Sequence, residues 1–298
     1  MPSSSQTPER PLPRRSRDGG ARLLSSGQGL LLLLPMVAAL FVFFLGPLVW
    51  LIQTSFLARG EFDLSAYQSL LHDPVVRVVA TRTFLISVLV TVVTVLIGIP
   101  VAMLMASLKG RLGTMVTLIV VIPLWTSVLI RTYAWAVILR SNGVANTLLM
   151  KLGLISDPIQ FMYTEFAVFI GMVHVLLPFA VLPAFTAFRA IPPELHKASL
   201  VLGAREFRTF LEITLPLARH GVISGGILTF MLAMGFFVTP ALLGGPRSMT
   251  IATLIKMEVY DMADWQRAAA ISVTLTVFSL IIAALFHRYM RVGADKGA

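Results

Sequence analysis

Six stretches of this chain carry no charged side chain: residues 23–58, 83–108, 112–130, 166–188, 220–246 and 268–287. Each approaches or exceeds the ~20 apolar residues that a helix needs to cross about 30 Å of hydrocarbon. In that medium every backbone N–H and C=O must be satisfied inside the structure, and for runs this long the helix does so within one segment. Only 13% of the 298 residues are charged, against about 25% in soluble domains, so water is not the main solvent. The third run continues past Arg131 to Leu139, which puts spans near 29–53, 84–108, 114–139, 166–188, 221–243 and 268–288. The expected fold class is all-α, a polytopic membrane protein with six transmembrane helices. An even number of spans places both termini on one side.

The basic residues say which side. With the N-terminus inside, inner segments hold Arg10, Arg14, Arg15, Arg17, Arg22, Lys109, Arg111, Arg189, Lys197, Arg205, Arg208, Arg219, Arg288, Arg291 and Lys296. The outer loops hold eight cations, offset by eight acids: Glu61, Asp63, Asp73, Asp157, Glu165, Glu258, Asp261 and Asp264. Fifteen inner cations less six inner acids leave +9, and Arg131 inside the third span completes the net +10. Excess Lys and Arg stay cytoplasmic during insertion. Both termini are therefore expected in the cytoplasm, and the net charge needs no nucleic-acid partner to explain it.

Arginines precede the first run, as they do in a signal peptide, but a signal core spans only about 7 to 15 residues. Leu30 to Ile52 is a full span, containing Pro35, Gly46, Pro47 and Trp50, and reads as a retained helix. Residues 1–28, rich in Pro, Ser and Arg, have too little apolar surface to fold and are expected to be a disordered cytoplasmic tail. Residues 29–81 then hold the first span and its outer loop, 82–288 a five-helix core with a cytoplasmic loop at 190–219, and 289–298 a second tail.

That loop is the most informative segment. Pro192 and Pro193, Glu194 in the first turn and Gly203 at the end punctuate a short helix. Leu195, Ala198 and Leu202 share one of its faces. Beyond the glycine, Ala204, Phe207, Leu211 and Leu215 share a face of a second short helix, which ends where Pro216 opens the fifth span. Two amphipathic helices hinged at Gly203 form a docking surface, either for a protein or for lipid headgroups.

Gly203, Ile213, Leu215 and Pro216 stand in the pattern G, nine residues, I-x-L-P. This resembles the cytoplasmic loop motif of binding-protein-dependent ABC transporter permeases. That family's motif begins E-A-A-x-x-x-G; the matching residues here are Lys197, Ala198, Ser199 and Gly203, so the leading acid is absent. Leu129-Ile130-Arg131-Thr132-Tyr133, Asn142-Gly143-Val144-Ala145-Asn146, Met234-Gly235, Leu243-Gly244-Gly245 and Asp264-Trp265 are similar to the spermidine/putrescine subgroup. The resemblance implies a type I ABC importer permease fold in a bacterial inner membrane. It also implies a second permease subunit, a cytoplasmic ABC ATPase dimer and a periplasmic substrate-binding protein as partners. ATP and Mg would sit on the ATPase, with no cofactor and no metal on this chain. Contact with the ATPase falls to Glu194, Lys197, Ala198, Ser199, Gly203, Ala204, Phe207, Ile213, Leu215 and Pro216.

The motifs of catalysis are missing. No Gly-Lys pair occurs, so no Walker loop can cradle phosphates, and there is neither an H-E-x-x-H pair nor a G-x-S-x-G turn. Leu24-Ser25-Ser26-Gly27-Gln28 looks like an ABC ATPase signature, but it abuts the first span with no nucleotide-binding domain around it. The chain is expected to be a transporter subunit with no catalytic residue.

Five of the six spans contain proline, and Gly221 with Gly225 forms a G-x-x-x-G pair suited to close helix packing. No Asp or Glu lies inside a span, so a polycationic cargo cannot be selected there by buried carboxylates. Arg131 is the one ionised residue within a span; it either snorkels to the outer interface or pairs with Asp157 or Glu165, or else lines the pathway. His174, mid-span, reads as a packing residue. In a continuous third helix, Thr132, Tyr133 and Trp135 would project within about 80° of Trp125, giving an aromatic surface for cation–π contacts or an interfacial belt. Trp125, Arg131, Tyr133, Met234, Phe237 and Thr239 are the pathway candidates. The rival expectations are another small solute (sulfate, molybdate or ferric ion), or an ATP-independent ion-coupled carrier.

Overall fold

The computed structural model describes residues 26–58 and 60–295. The predicted tails fall outside these, except that Ser26 already begins a helix and the last helix runs on to Asp295. The chain divides at Trp50 into two units. The described part of the first holds α1 (Ser26–Leu40), a π-helical turn over Phe41–Leu45 and the start of α2 (Gly46–Phe56). Leu33–Phe56 is one helix, long and apolar enough to cross a membrane.

In the second unit a two-stranded hairpin, β1 (Leu57–Ala58) with β2 (Glu61–Phe62), leads to α3 (Ser65–His72). It is the only departure from all-α structure among the described residues. Next, α4 (Pro74–Ser107) starts where the Asp73 carboxylate accepts from the Val75 N–H at 2.7 Å, with Pro74 as first helical residue. Its 34 residues extend ~51 Å, well beyond the hydrocarbon. Its first ten, including Arg77 and Arg82, therefore stand outside the expected span at 84–108.

The third span is not one helix. α5 (Gly110–Trp125) stops at an extended Thr126, α6 (Val128–Leu139) and α7 (Val144–Lys151) follow, and the two halves are bent by 101°. Both the N–H and the hydroxyl of Thr126 bond to the Pro123 carbonyl and close the last turn of α5. The fifth span is likewise interrupted. α8 (Glu165–Arg189), α9 (Pro193–Val201) and α10 (Glu206–Thr209) lead into α11 (Leu215–Met234), which ends at Gly235 before α12 (Val238–Leu243) resumes. Pro240 explains the restart. In the first turn of α12 its missing N–H has no intrahelical role, whereas in a continuous helix it would have orphaned the Phe236 carbonyl. Finally come α13 (Ile251–Tyr260) and α14 (Trp265–Asp295).

α4, α8 and α11 pack together around Val90, Val168, Met172, Leu176 and Ala233 at one end, and Ala102, Met105, Val181, Ala184 and Ala218 at the other. A Cβ added at Gly221 would lie 2.6 Å from the Pro183 carbonyl oxygen, and one at Gly225 2.6 Å from that of Ala180. The G-x-x-x-G pair thus serves packing inside this subunit. Among the described residues five helices are long and apolar enough to cross a membrane, and six if the bent pair is one span.

Candidate functional site

The loop between α8 and α11 is built on one turn. Gly203 has φ +81°, its N–H bonds to the Leu200 carbonyl, and the Ala204 N–H bonds to that of Ser199. These are the paired bonds of a Schellman motif, which needs a left-handed residue at the glycine position. Ser199 is buried and donates its hydroxyl to the His196 carbonyl at 2.7 Å. Its oxygen is therefore the acceptor for the buried Thr209 hydroxyl 2.9 Å away. That bond ties α9 to the helix beyond the turn, and Thr209 was not among the expected residues.

The second amphipathic helix is not separate. Glu206–Met234 is one continuous helix, with a π-helical turn at Phe210–Thr214 just ahead of Pro216. The wider turn takes the place of the α-helical bond that proline cannot donate and relieves its ring of the carbonyl four residues back. The same pairing recurs at Phe41–Leu45 ahead of Pro47. Pro216 therefore lies within a helix instead of opening one.

Among the described residues the apolar side chains at the turn are left exposed. Val201 and Leu202 are 88% and 87% exposed, and Leu195, Phe207 and Leu211 are exposed as well. Glu194, Lys197, Ala198 and Pro216 are exposed, while Ala204, Ile213 and Leu215 are half-buried. Lys197 makes no ion pair among the described residues.

The pathway candidates separate into two groups. Trp125, Tyr133 and Phe237 are exposed, but Met234 and Thr239 are buried and so is Arg131. The break after Trp125 removes the shared aromatic face expected of a continuous helix. Trp135 instead donates its indole N–H to His174 Nδ1 at 3.1 Å, which leaves the ring proton of a neutral His174 on Nε2. Thr132 bonds to Thr239 at 3.1 Å.

Arg131 reaches neither acid proposed for it. Glu165 pairs with Arg82 at 2.8 Å, and among the described residues Arg131 has only the carbonyls of Val175 (3.4 Å) and Thr126 (3.5 Å), with Nε unpartnered. Its side chain is buried beside α8, where the Val175 carbonyl is its nearest partner.

Other motif residues hold the end of the molecule where α12 stops. Asn146 is fully buried and its carboxamide exchanges two bonds with Ile159, at 2.8 and 2.9 Å. The Tyr163 N–H bonds to the Leu243 carbonyl, and a Cβ at Gly244 would meet the Pro240 oxygen at 2.5 Å. Arg267 links three elements there, through Glu258 of α13 at 2.8 Å and Asp73 at the start of α4. Arg267 holds the Asp73 carboxyl below the usual range.

Comparison with known proteins agrees with this architecture. The family described as binding-protein-dependent transport system inner membrane component matches residues 98–292. The spermidine/putrescine transport system permease protein PotB of Escherichia coli (strain K12) is 34% identical over 260 residues, 85% of this chain and 94% of that one. The trehalose/maltose transport system permease protein MalF of Thermococcus litoralis is 28% identical over 89% of this chain and 93% of its own length. A chain of the crystal structure of a bacterial alginate ABC transporter superposes with a TM-score of 0.77 at 21% identity, covering 88% of this chain and 94% of that one.

Proposed function

The chain belongs to the binding-protein-dependent inner-membrane transport components, has the type I ABC importer permease fold and is a multi-pass membrane subunit, not an enzyme. From that premise we propose that it forms the translocation path for a polyamine such as spermidine or putrescine, with both termini cytoplasmic. Cargo would arrive on a periplasmic binding protein, and ATP with Mg would be used by a separate ATPase dimer seated against residues 192–216. A second permease subunit would complete the pore.

The observation that carries the coupling assignment is the turn at Val201–Gly203, whose side chains are apolar, exposed and held on a rigid cap. An apolar tip on a well-pinned loop suits a cleft in a protein better than a headgroup layer, because a fixed Schellman turn and the Ser199–Thr209 bond preserve its shape. The polyamine assignment is supported by the likeness to PotB.

Affinity purification of the chain from its native membrane in mild detergent tests the first part. An ATPase that copurifies with the intact chain, but not with Val201→Asp/Leu202→Asp, supports the assignment. Transport that persists after ATP depletion would instead mean an ion-coupled carrier. Uptake competition tests the second part: excess putrescine must compete. A second reading, an anionic cargo, draws on Arg131 alone, since a buried cation with no carboxylate beside it attracts anions. Competition by sulfate or molybdate and not by putrescine would favour it.

A further inference from the structure

A cavity of about 320 Å³ opens between α12, the segment that follows it and α13. Phe237, Pro240, Met249 and Met257 give it an apolar wall, and Lys256 and Asp261 stand on that wall as an ion pair at 3.5 Å. It is distinct from the turn at Gly203 and from the buried Thr132–Thr239 contact. Under the orientation proposed above it faces the periplasmic side, where a binding protein would release its cargo.

We propose that this cavity is a binding station for an aliphatic ammonium, with Asp261 as the counterion and Lys256 as the cation that the cargo displaces. The proposal rests on the polyamine reading and gives it a place on the chain. Three features select a cation with an apolar stem. Phe237 lines the cavity and is exposed, and the face of an aromatic ring carries the negative side of its quadrupole, which attracts ammonium and repels carboxylate. Two methionine side chains adapt to a methylene chain and expose only a weak acceptor. The cavity is at the small end of ligand sites, a size for one slender chain.

The charges supply the selectivity. Both Lys256 and Asp261 are about half exposed, so their mutual attraction is weak and screened. A primary ammonium is the same chemical group as the lysine head, and it can replace Lys256 at Asp261 with the carboxylate still paired and the half-exposed lysine head turned to solvent. Arg267, at the start of α14, is committed elsewhere, bound by Glu258 and Asp73. After the exchange Lys256 swings free, which restores the station when the cargo moves on.

Opposite effects of the two charge removals distinguish this arrangement from a structural ion pair. The assay is equilibrium binding of radiolabelled putrescine to the purified permease–ATPase complex without binding protein, beside uptake by the same complex with its binding protein in vesicles. Asp261→Asn should weaken binding about fivefold, equivalent to ~1 kcal/mol, and Phe237→Ala should weaken it as well. Lys256→Gln, by removing the competitor, should tighten it. Equal weakening by Asp261→Asn and Lys256→Gln, or no change in any variant while the unaltered complex takes up putrescine, overturns the station and leaves the polyamine reading intact. Absence of putrescine uptake by the unaltered complex overturns the polyamine reading itself, and the station with it.

Discussion

Thr132 and Thr239 share a hydrogen bond of 3.1 Å with no solvent access to either residue, and it joins the second halves of the two broken spans. Thr132 belongs to α6 beyond the 101° bend, and Thr239 to α12 beyond the interruption at Gly235. Two short helices that each pack on α8 are thus also fixed to each other. In hydrocarbon or packed protein a lone hydroxyl left by truncation has no water to turn to. Thr132→Val or Thr239→Val should each destabilise the purified subunit by about 1 to 3 kcal/mol. The double variant should lose clearly less than the sum, because both polar groups are then gone. Thermal unfolding in detergent of the four proteins measures this, and strictly additive losses would remove the bond from the explanation.

Close approach between α8 and α11 gives a sharper contrast between neighbouring glycines. A Cβ at Gly225 would sit 2.6 Å from a backbone oxygen of Ala180, whereas one at Gly226 would meet a Val95 methyl at 3.3 Å. Backbone cannot rotate away as a side chain can. Gly225→Ala should therefore cost about 1 to 3 kcal/mol, within the range for overpacking, and Gly226→Ala much less. Equal melting temperatures for the two variants would mean that the helices separate more readily than their packing implies.

The membrane character, the apolar spans and the punctuation of the loop's first helix, from Pro193 to Gly203, were legible in the sequence, because they depend on local composition and on residues with strong backbone preferences. The helix breaks were less so. Pro123, Gly235 and Pro240 announced them, yet membrane helices also tolerate proline without breaking, and only the extended Thr126 and the restart at Val238 decide the matter. Once a span is assumed continuous, every angular inference across it fails, as the Trp125–Trp135 face did. Nor could spacing reveal Thr209, Asn146 or Arg267, whose partners come from tertiary contact.

Arg131 is nine-tenths buried with two long bonds to carbonyls and an unpartnered Nε. Replacing such a group with an apolar one of similar length is commonly neutral or stabilising. Arg131→Met should therefore leave the thermal stability of the subunit unchanged or higher. If the charge acts in transport, uptake should nonetheless drop at least tenfold, as expected for an intramembrane charge with a functional role. Full uptake by a stable Arg131→Met protein would assign the residue to packing alone.

The depressed Asp73 carboxyl sets an acid limit. A group whose folded value lies below its unfolded one stabilises the fold above the unfolded value, near 3.9 for aspartate, and that stabilisation fades as pH falls through the folded value. The salt bridge from Arg267 that lowers Asp73 thus contributes fully at neutral pH and is lost only below about pH 4. Asp73→Asn should lower the melting temperature at pH 7 and shrink the difference between pH 7 and pH 3. A variant with an undiminished pH difference would place the acid sensitivity on other carboxylates.

At Gly203 steric room and backbone conformation can be told apart. Nothing lies within 4 Å of a Cβ built there, so any side chain fits. What opposes substitution is φ +81°, which costs an L-residue roughly 1 to 2 kcal/mol and a β-branched one most, while asparagine tolerates it best. Gly203→Val should weaken the cap and shift Val201 and Leu202, and Gly203→Asn should largely preserve it. If the turn carries motion between ATPase and pore, Gly203→Val should cut both uptake and binding-protein-stimulated ATP hydrolysis several-fold in the assembled transporter. Its basal ATP hydrolysis should stay near normal, since in the proposed assembly the nucleotide sites lie on another chain, and Gly203→Asn should recover most of both losses. Normal stimulated hydrolysis in Gly203→Val would move the coupling contact away from this turn.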